Sequence, residues 1–335
     1  MNGLSLEALL AVAGRHRWLW SALGVLILWI LLSLMTSQFS LSSLSGVAVS
    51  SSFLLLVALG QTAVVTTGRG NIDLSIASVM TLSAYLALIV IAGQDSLLIP
   101  GILATLALGL VVGLINAALV VLARIPAIIA TLATGYVLAT ATLLANRAIP
   151  GFAIAPSLKT LATGRIGGLP IMVVIAVLAV AAAAFLFGRT AWGQTLSAVG
   201  QNQRAARLAG VGTGRVVATT FVASAVLASL TGVLLGAYVG GAFLEMGLPY
   251  RLQSLGAVVL GGTLIMGGGA TALGTLFGSL LLVLIVTTMQ IAGLPPGTQD
   301  MVQGLVIITV LALAGGSAVR RRSKPKAALN QGQTS

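Results

Sequence analysis

From Trp18 to Met35 the chain runs eighteen residues without a charged side chain, and runs of this kind recur almost to its other end. About 20 predominantly apolar residues are what a helix needs to cross a hydrocarbon core of about 30 Å. Repeated along a whole chain, such runs leave nothing from which to build a water-soluble coat. Hydrophobic residues make up 58% of the 335 and charged residues only 7%, where a soluble domain carries roughly 25% charged. The runs are continuous, whereas barrel strands alternate with period two over about ten residues. The expected fold class is therefore an all-α, polytopic membrane protein. The first run follows the basic Arg15-His16-Arg17 and superficially resembles a signal peptide, but it is too long and no Ala-x-Ala-like site follows it. A retained first span is expected.

Ten apolar segments can be drawn, at about 18–35, 46–67, 74–92, 97–122, 126–145, 168–187, 215–239, 252–267, 272–292 and 299–316. The third and eighth are interrupted, by Ser75, Ser78, Thr81 and Ser83 in one and by Gly256, Gly261 and Gly262 in the other. Either reads as a broken or re-entrant helix. Lys and Arg in short loops favour the cytoplasmic side. With both termini inside, ten spans place thirteen of the seventeen basic residues there and leave only Arg147, Lys159, Arg165 and Arg251 outside. An odd span count would export the Arg320–Arg322 cluster. Residues 1–322 thus read as a single membrane domain, and 323–335 as a polar, disordered cytoplasmic tail.

Two connections are long. The outer one, 146–167, reads as a solvated loop or a surface that receives a periplasmic partner. The inner one, 188–214, contains Gln201–Ala209, of helix-forming composition, with Arg204 and Arg207 three residues apart and so close to one face. It reads as a short helix lying at the cytoplasmic surface.

Several chemistries are excluded. There is no cysteine, so no disulfide, thiol catalysis or thiolate metal site, and a single imidazole at His16 cannot make a metal centre. The net charge of +12 is scattered between apolar runs without aromatic platforms, which excludes nucleic acid as a partner. Lys159, Lys324 and Lys326 lack the glycines of a phosphate loop, and Gly267-Gly268-Gly269, without Lys-Ser/Thr, reads as a tight helix connection. The chain is expected to be a non-enzymatic subunit without a cofactor of its own. Any ATP and Mg would sit on another chain.

The five acidic residues, Glu7, Asp73, Asp95, Glu245 and Asp300, lie in loops or at span ends, and Asp73 stands out where the Arg69–Ser75 loop enters the third segment. It could pair with Arg69, cap the following helix, or take part in gating. A buried ionisable group usually marks an ion or proton relay, and that signature is nearly missing. Gln61, Asn116 and Gln290 are uncharged polar intrusions that could bond a polyhydroxylated solute or another helix. Gly109-x-x-x-Gly113, Gly236-x-x-x-Gly240 and Gly274-x-x-x-Gly278 have helix-packing spacing, within the subunit or at a dimer interface.

Three stretches carry a family resemblance. Gly60–Met80, GQTAVVTTGRGNIDLSIASVM, resembles the early region of ABC importer permeases of the ribose and monosaccharide class. Ala198–Val211, AVGQNQRAARLAGV, resembles their cytoplasmic coupling segment, and Leu255–Gly278 resembles a third family stretch. All three occur in the expected order. The resemblance implies about ten helices in the type II importer arrangement, in the bacterial inner membrane. It also implies a second permease copy or paralogue, an ATPase subunit beneath and a periplasmic sugar-binding protein above. On it, Asn202, Arg204, Ala205, Ala206, Arg207 and Gly210 become ATPase-coupling candidates, and Gln61, Asp73, Ser75 and Asn116 gating or pathway candidates. Where the family reads Gly-Gly-Ile-Asp, this chain has the longer, more basic Gly68-Arg69-Gly70-Asn71-Ile72-Asp73. Importers of branched-chain amino acids or nucleosides share the general architecture, and an ion-coupled secondary transporter is the alternative of a different class.

Overall fold

The computed structural model describes residues 18–36, 41–149, 151 and 153–322. Arg15–Arg17 and the 323–335 tail lie outside the described residues. Long apolar helices run in chain order: α1 Trp18–Thr36, α2 Leu41–Thr66, α3 Ile76–Ile91, α4 Leu98–Ala117 and α5 Ala127–Ala148. A π-helical turn, Ala118–Leu122, prolongs α4. There follow a short helix α6 Pro156–Thr163, a two-residue hairpin of β1 Arg165–Ile166 and β2 Leu169–Pro170, and α7 Ile171–Arg189. The second half comprises α8 Ala191–Gln201, α9 Gln203–Leu208, α10 Thr213–Val239, α11 Leu248–Leu260, α12 Ala272–Ile291 and α13 Pro296–Arg322.

α2 is apolar on all sides, and a helix of that kind must be surrounded. Phe53, Leu54, Leu55, Val57, Ala58, Val64 and Val65 are all buried, so it forms the axis of the bundle. α10 packs against α2, α3 and α4. The shell is the reverse: Trp20 on α1, Leu144 on α5 and Leu178 and Phe185 on α7 are largely exposed, as lipid-facing side chains must be. Glycines set the closest approaches. A Cβ on Gly113 would come within 2.6 Å of Val222 Cα, and one on Gly109 within 2.9 Å of the Ala225 carbonyl oxygen, so α4 meets α10 backbone to backbone. Gly274 and Gly278 pack likewise on Gly261 and Ala257. These spacings serve contacts within the chain. Gly240 is the exception: it adopts φ +81° and ends α10.

Among the described residues, seven helices are long and apolar enough to cross a membrane. The interrupted third and eighth segments are not among them. α3 has 16 residues and is entered through extended chain at 71–75. α11 has 13 residues and stops at Leu260, seven short of the expected boundary, where Gly261–Thr271 takes over. The two breaks adjoin at the end of α2, where the Gly268 amide donates to the Thr66 carbonyl at 3.0 Å. Gly267 and Gly268, at φ +88° and +94°, make that turn.

Two connections differ from expectation. The 146–167 loop carries a helix: α6 begins at Pro156, whose fixed φ suits a first helical turn, and the Ser157 amide donates to Asp95 Oδ1 at 3.0 Å. The Gly167-Gly168 hairpin turn, at φ +57° and +86°, delays α7 to Ile171. In 188–214 the expected short helix over Gln201–Ala209 forms as α9, Gln203–Leu208, and a further helix, α8, precedes it. Gln201 closes α8, and Asn202, extended at φ −157° and ψ 98°, separates it from α9.

Candidate functional site

Charge separates the two ends of the bundle. Arg69, Arg124, Arg189, Arg204, Arg207 and Arg215 occupy the loops and helix ends at which α2, α4 and α7 finish and α5 and α10 begin. Asp95, Arg147, Lys159, Arg165, Glu245, Arg251 and Asp300 lie toward the other. Inside the arginine-bearing end sits a polar cluster built on the extended chain before α3.

Asp73 is its centre and is fully buried. Its Oδ1 accepts the Ser75 amide at 3.0 Å and the Ser75 hydroxyl at 2.6 Å, and its Oδ2 accepts the Ser224 hydroxyl of α10 at 2.8 Å. Asn116 Nδ2, from α4, donates to Ser75 Oγ at 2.9 Å, and the Asp73 amide donates to Gln61 Oε1 of α2 at 3.3 Å. From α5, Thr131 Oγ1 accepts the Leu74 amide at 3.0 Å. Gly60 lets α10 come this close: a Cβ there would lie 2.8 Å from Ser224 Cα. Gln61 stands five residues before the end of α2 and Ser224 eleven beyond the start of α10. At 1.5 Å per residue these are roughly 8 and 16 Å from the helix ends. The one acidic residue expected near membrane depth is therefore held inside the bundle.

All four gating or pathway candidates, Gln61, Asp73, Ser75 and Asn116, meet in this cluster. Ser224 and Thr131 complete it. The proposed Asp73–Arg69 pair does not form, because Arg69 Nη1 turns outward and donates to Gln203 Oε1 of α9 at 2.6 Å. Nor does the carboxylate cap the first turn of α3 directly; it holds the amide of Ser75, the residue before the helix. Two buried polar atoms of the cluster have no partner among the described residues: the donor Gln61 Nε2 and the acceptor Asn116 Oδ1. Gln290, by contrast, is exposed near the end of α12.

Below the cluster lies the surface element. Asn202 Oδ1 accepts the amides of Arg204 and Ala205, both at 3.0 Å, and so caps α9. At the other end Gly210, φ +82°, closes a Schellman motif: its amide bonds the Arg207 carbonyl and that of Val211 bonds Ala206, both at 3.0 Å. Ala206 is buried against Leu196, Val199 and Val217, while Arg204, Ala205 and Arg207 face outward and Leu208 is 84% exposed. A six-residue helix capped at both ends and anchored by one alanine presents a firm convex surface.

Arg69 joins the two features. Gly68, Arg69 and Gly70 take φ +75°, +59° and +73° in succession, a left-handed turn costing a non-glycine residue roughly 1–2 kcal/mol. The turn aims Arg69 at Gln203 while Asn71, next in line, donates to Thr67 Oγ1 at 2.8 Å. The extra basic residue of this loop therefore bridges α9 to the chain that carries Asp73.

The family model for the permease component of branched-chain amino acid transport systems matches residues 43–311. The galactofuranose transporter permease protein of Escherichia coli (strain K12) is 34% identical over 266 residues, 76% of this chain and 74% of that one. The autoinducer 2 import system permease protein of Shigella flexneri is 30% identical over 303 residues, covering 90% and 87%. Its counterpart in Yersinia pseudotuberculosis serotype O:1b (strain IP 31758) is 32% identical over 295 residues, covering 88% and 83%. No solved structure matches the chain.

Proposed function

Because the chain belongs to the family of branched-chain amino acid transport system permease components, and is a multi-pass protein of the bacterial inner membrane, we propose that it is the permease of an ATP-driven monosaccharide importer. A separate ATPase would hydrolyse ATP, a periplasmic binding protein would deliver the solute, and a second permease would complete the pathway. The arginine-bearing end would face the cytoplasm. The sugar class rests on the relative named for galactofuranose transport.

The observation that carries this reading is the bridge from an exposed, doubly capped helix to a buried polar cluster. A docking ATPase would grip α9 through Arg204, Arg207 and Leu208. Its movement would reach Arg69 through Gln203 and then the 68–75 chain, where α2, α4, α5 and α10 converge on Asp73. A tightly packed cluster at a helix crossing has discrete arrangements rather than continuous ones, which is what a switch between outward and inward access requires. The spare donor on Gln61 and spare acceptor on Asn116 are what a solute hydroxyl, both donor and acceptor, can bond in passing.

The test is reconstitution with the cognate ATPase and binding protein. ATP-dependent uptake of a labelled pentose or hexose is expected, with deletion of 203–208 abolishing uptake while the ATPase still turns over. Uptake of leucine in place of sugar would overturn the substrate class. Uptake by this chain alone, driven by an ion gradient and indifferent to ATP, would overturn the importer reading.

A further inference from the structure

Beside α9 a cavity of about 620 Å³ opens between the 69–71 turn, the junction of α4 with α5, and the start of α10, a size within the roughly 300–1,000 Å³ typical of small-molecule sites. Arg69, Arg124 and Arg207 line it, and no acidic residue does. Among the described residues no ion pair engages any of the three, and Arg124 has no hydrogen-bond partner. No carboxylate of the described residues serves: Asp95, Glu245 and Asp300 lie toward the other end, and Asp73 is buried with both its oxygens already accepting. Arg124, moreover, adopts φ +58°, so a second arginine of the cavity sits in a strained backbone. None of the described residues supplies an anion to this cavity. Asn71, Gln203 and Thr213 add polar groups on the α9 and α10 side, while the α4–α5 side is apolar, with Val120, Val121 and Ile128, next in sequence to Leu122 and Ile129, which are 79% and 60% exposed.

We propose that this cavity binds the phosphate headgroup of an anionic phospholipid, with the acyl chains running along α4 and α5. A cluster of guanidiniums offers forked donors to a phosphate, and basic pockets between spans at the cytoplasmic face suit such headgroups. A lipid satisfies the arginines and the apolar α4–α5 side together. Placement in the inner leaflet rests on the orientation proposed above. The binding does not, so the site can fail while that reading stands.

Native mass spectrometry of the detergent-purified chain, titrated with phosphatidylglycerol or phosphatidylcholine, tests it. The protein is expected to prefer phosphatidylglycerol. The double variant Arg69→Gln/Arg124→Gln should lose that preference by roughly thirtyfold, from about 1 kcal/mol per cation. Arg147→Gln, at the other end, should leave it intact, and Arg124→Lys, which keeps the charge, should retain most of it and exclude misfolding as the cause. A double variant that keeps the wild-type preference for phosphatidylglycerol would overturn the site. So would displacement of the lipid by millimolar inorganic phosphate, which would mark a free-anion site. Its complete displacement by the bound ATPase would identify protein carboxylates as the counter-charge and equally overturn the proposal.

Discussion

Ser224, in the fourth turn of α10, donates its hydroxyl to Asp73 Oδ2 at 2.8 Å across 151 residues of sequence. That bond ties the longest central helix to the extended chain ahead of α3 at a level where neither water nor lipid can replace it. Removing the hydroxyl leaves a buried carboxylate oxygen without its donor. Ser224→Ala is expected to cost about 1–3 kcal/mol, read as a lower thermal midpoint in detergent. Ser224→Thr keeps a donor at the same atom and should recover part of the loss.

Asp73 organises three donors, so its replacement separates charge from connectivity. Asp73→Asn keeps one carbonyl oxygen for the Ser75 amide and hydroxyl and presents an amide that the Ser224 oxygen can accept. Asp73→Ala abandons all three bonds. The alanine variant should be markedly the less stable. Uptake should fall in both, and retention of full uptake by Asp73→Ala would remove the cluster from the transport cycle.

The bridge from Arg69 to Gln203 gives a prediction about coupling without stability. Arg69→Gly relieves a left-handed non-glycine residue and breaks a hydrogen bond to an exposed side chain, opposing effects each on the order of 1 kcal/mol. The thermal midpoint should barely move. ATP hydrolysis should continue while uptake per ATP falls. Gln203→Ala should do the same, and the double variant should be no worse than either single one, as expected for two residues sharing one interaction.

Much of this was legible in the sequence for a simple physical reason. Polar side chains inside apolar runs are costly, so Gln61, Asp73, Ser75 and Asn116 had to find one another or water. Ser224 and Thr131 gave no such signal. Helical hydroxyls ordinarily bond their own preceding turn, as Thr66, Thr134 and Thr142 do here, so nothing in the sequence marks the few that reach across. The glycines and serines of the third and eighth segments did announce that helix would fail there. That both breaks would fold back onto the end of α2 depends on the long-range Gly268–Thr66 bond, which no local pattern encodes. The division of 188–214 was available in principle, since Asn202 is a good N-cap. A continuous helical composition on both sides of it hid the boundary.

Gly113 offers the sharpest test of the packing, because its neighbour is backbone and cannot move aside alone. A methyl group there would lie 2.6 Å from Val222 Cα and 3.0 Å from the Phe221 carbonyl oxygen. α4 and α10 must separate to admit it, at the roughly 1–3 kcal/mol typical of overpacking. The strain falls one turn from Asn116 on α4 and close to Ser224 on α10, so it pulls apart two contributors to the Asp73 cluster. Gly113→Ala is therefore expected to lower the thermal midpoint and reduce uptake together. Gly46→Ala on α2, where nothing lies within 4 Å of the added methyl, is the control. It gains helix propensity worth up to about 1 kcal/mol and should leave both measurements level or slightly improved. If the two variants behave alike, α4 and α10 are not in backbone contact, and the close approach that aligns Asn116 with Ser224 is lost with it.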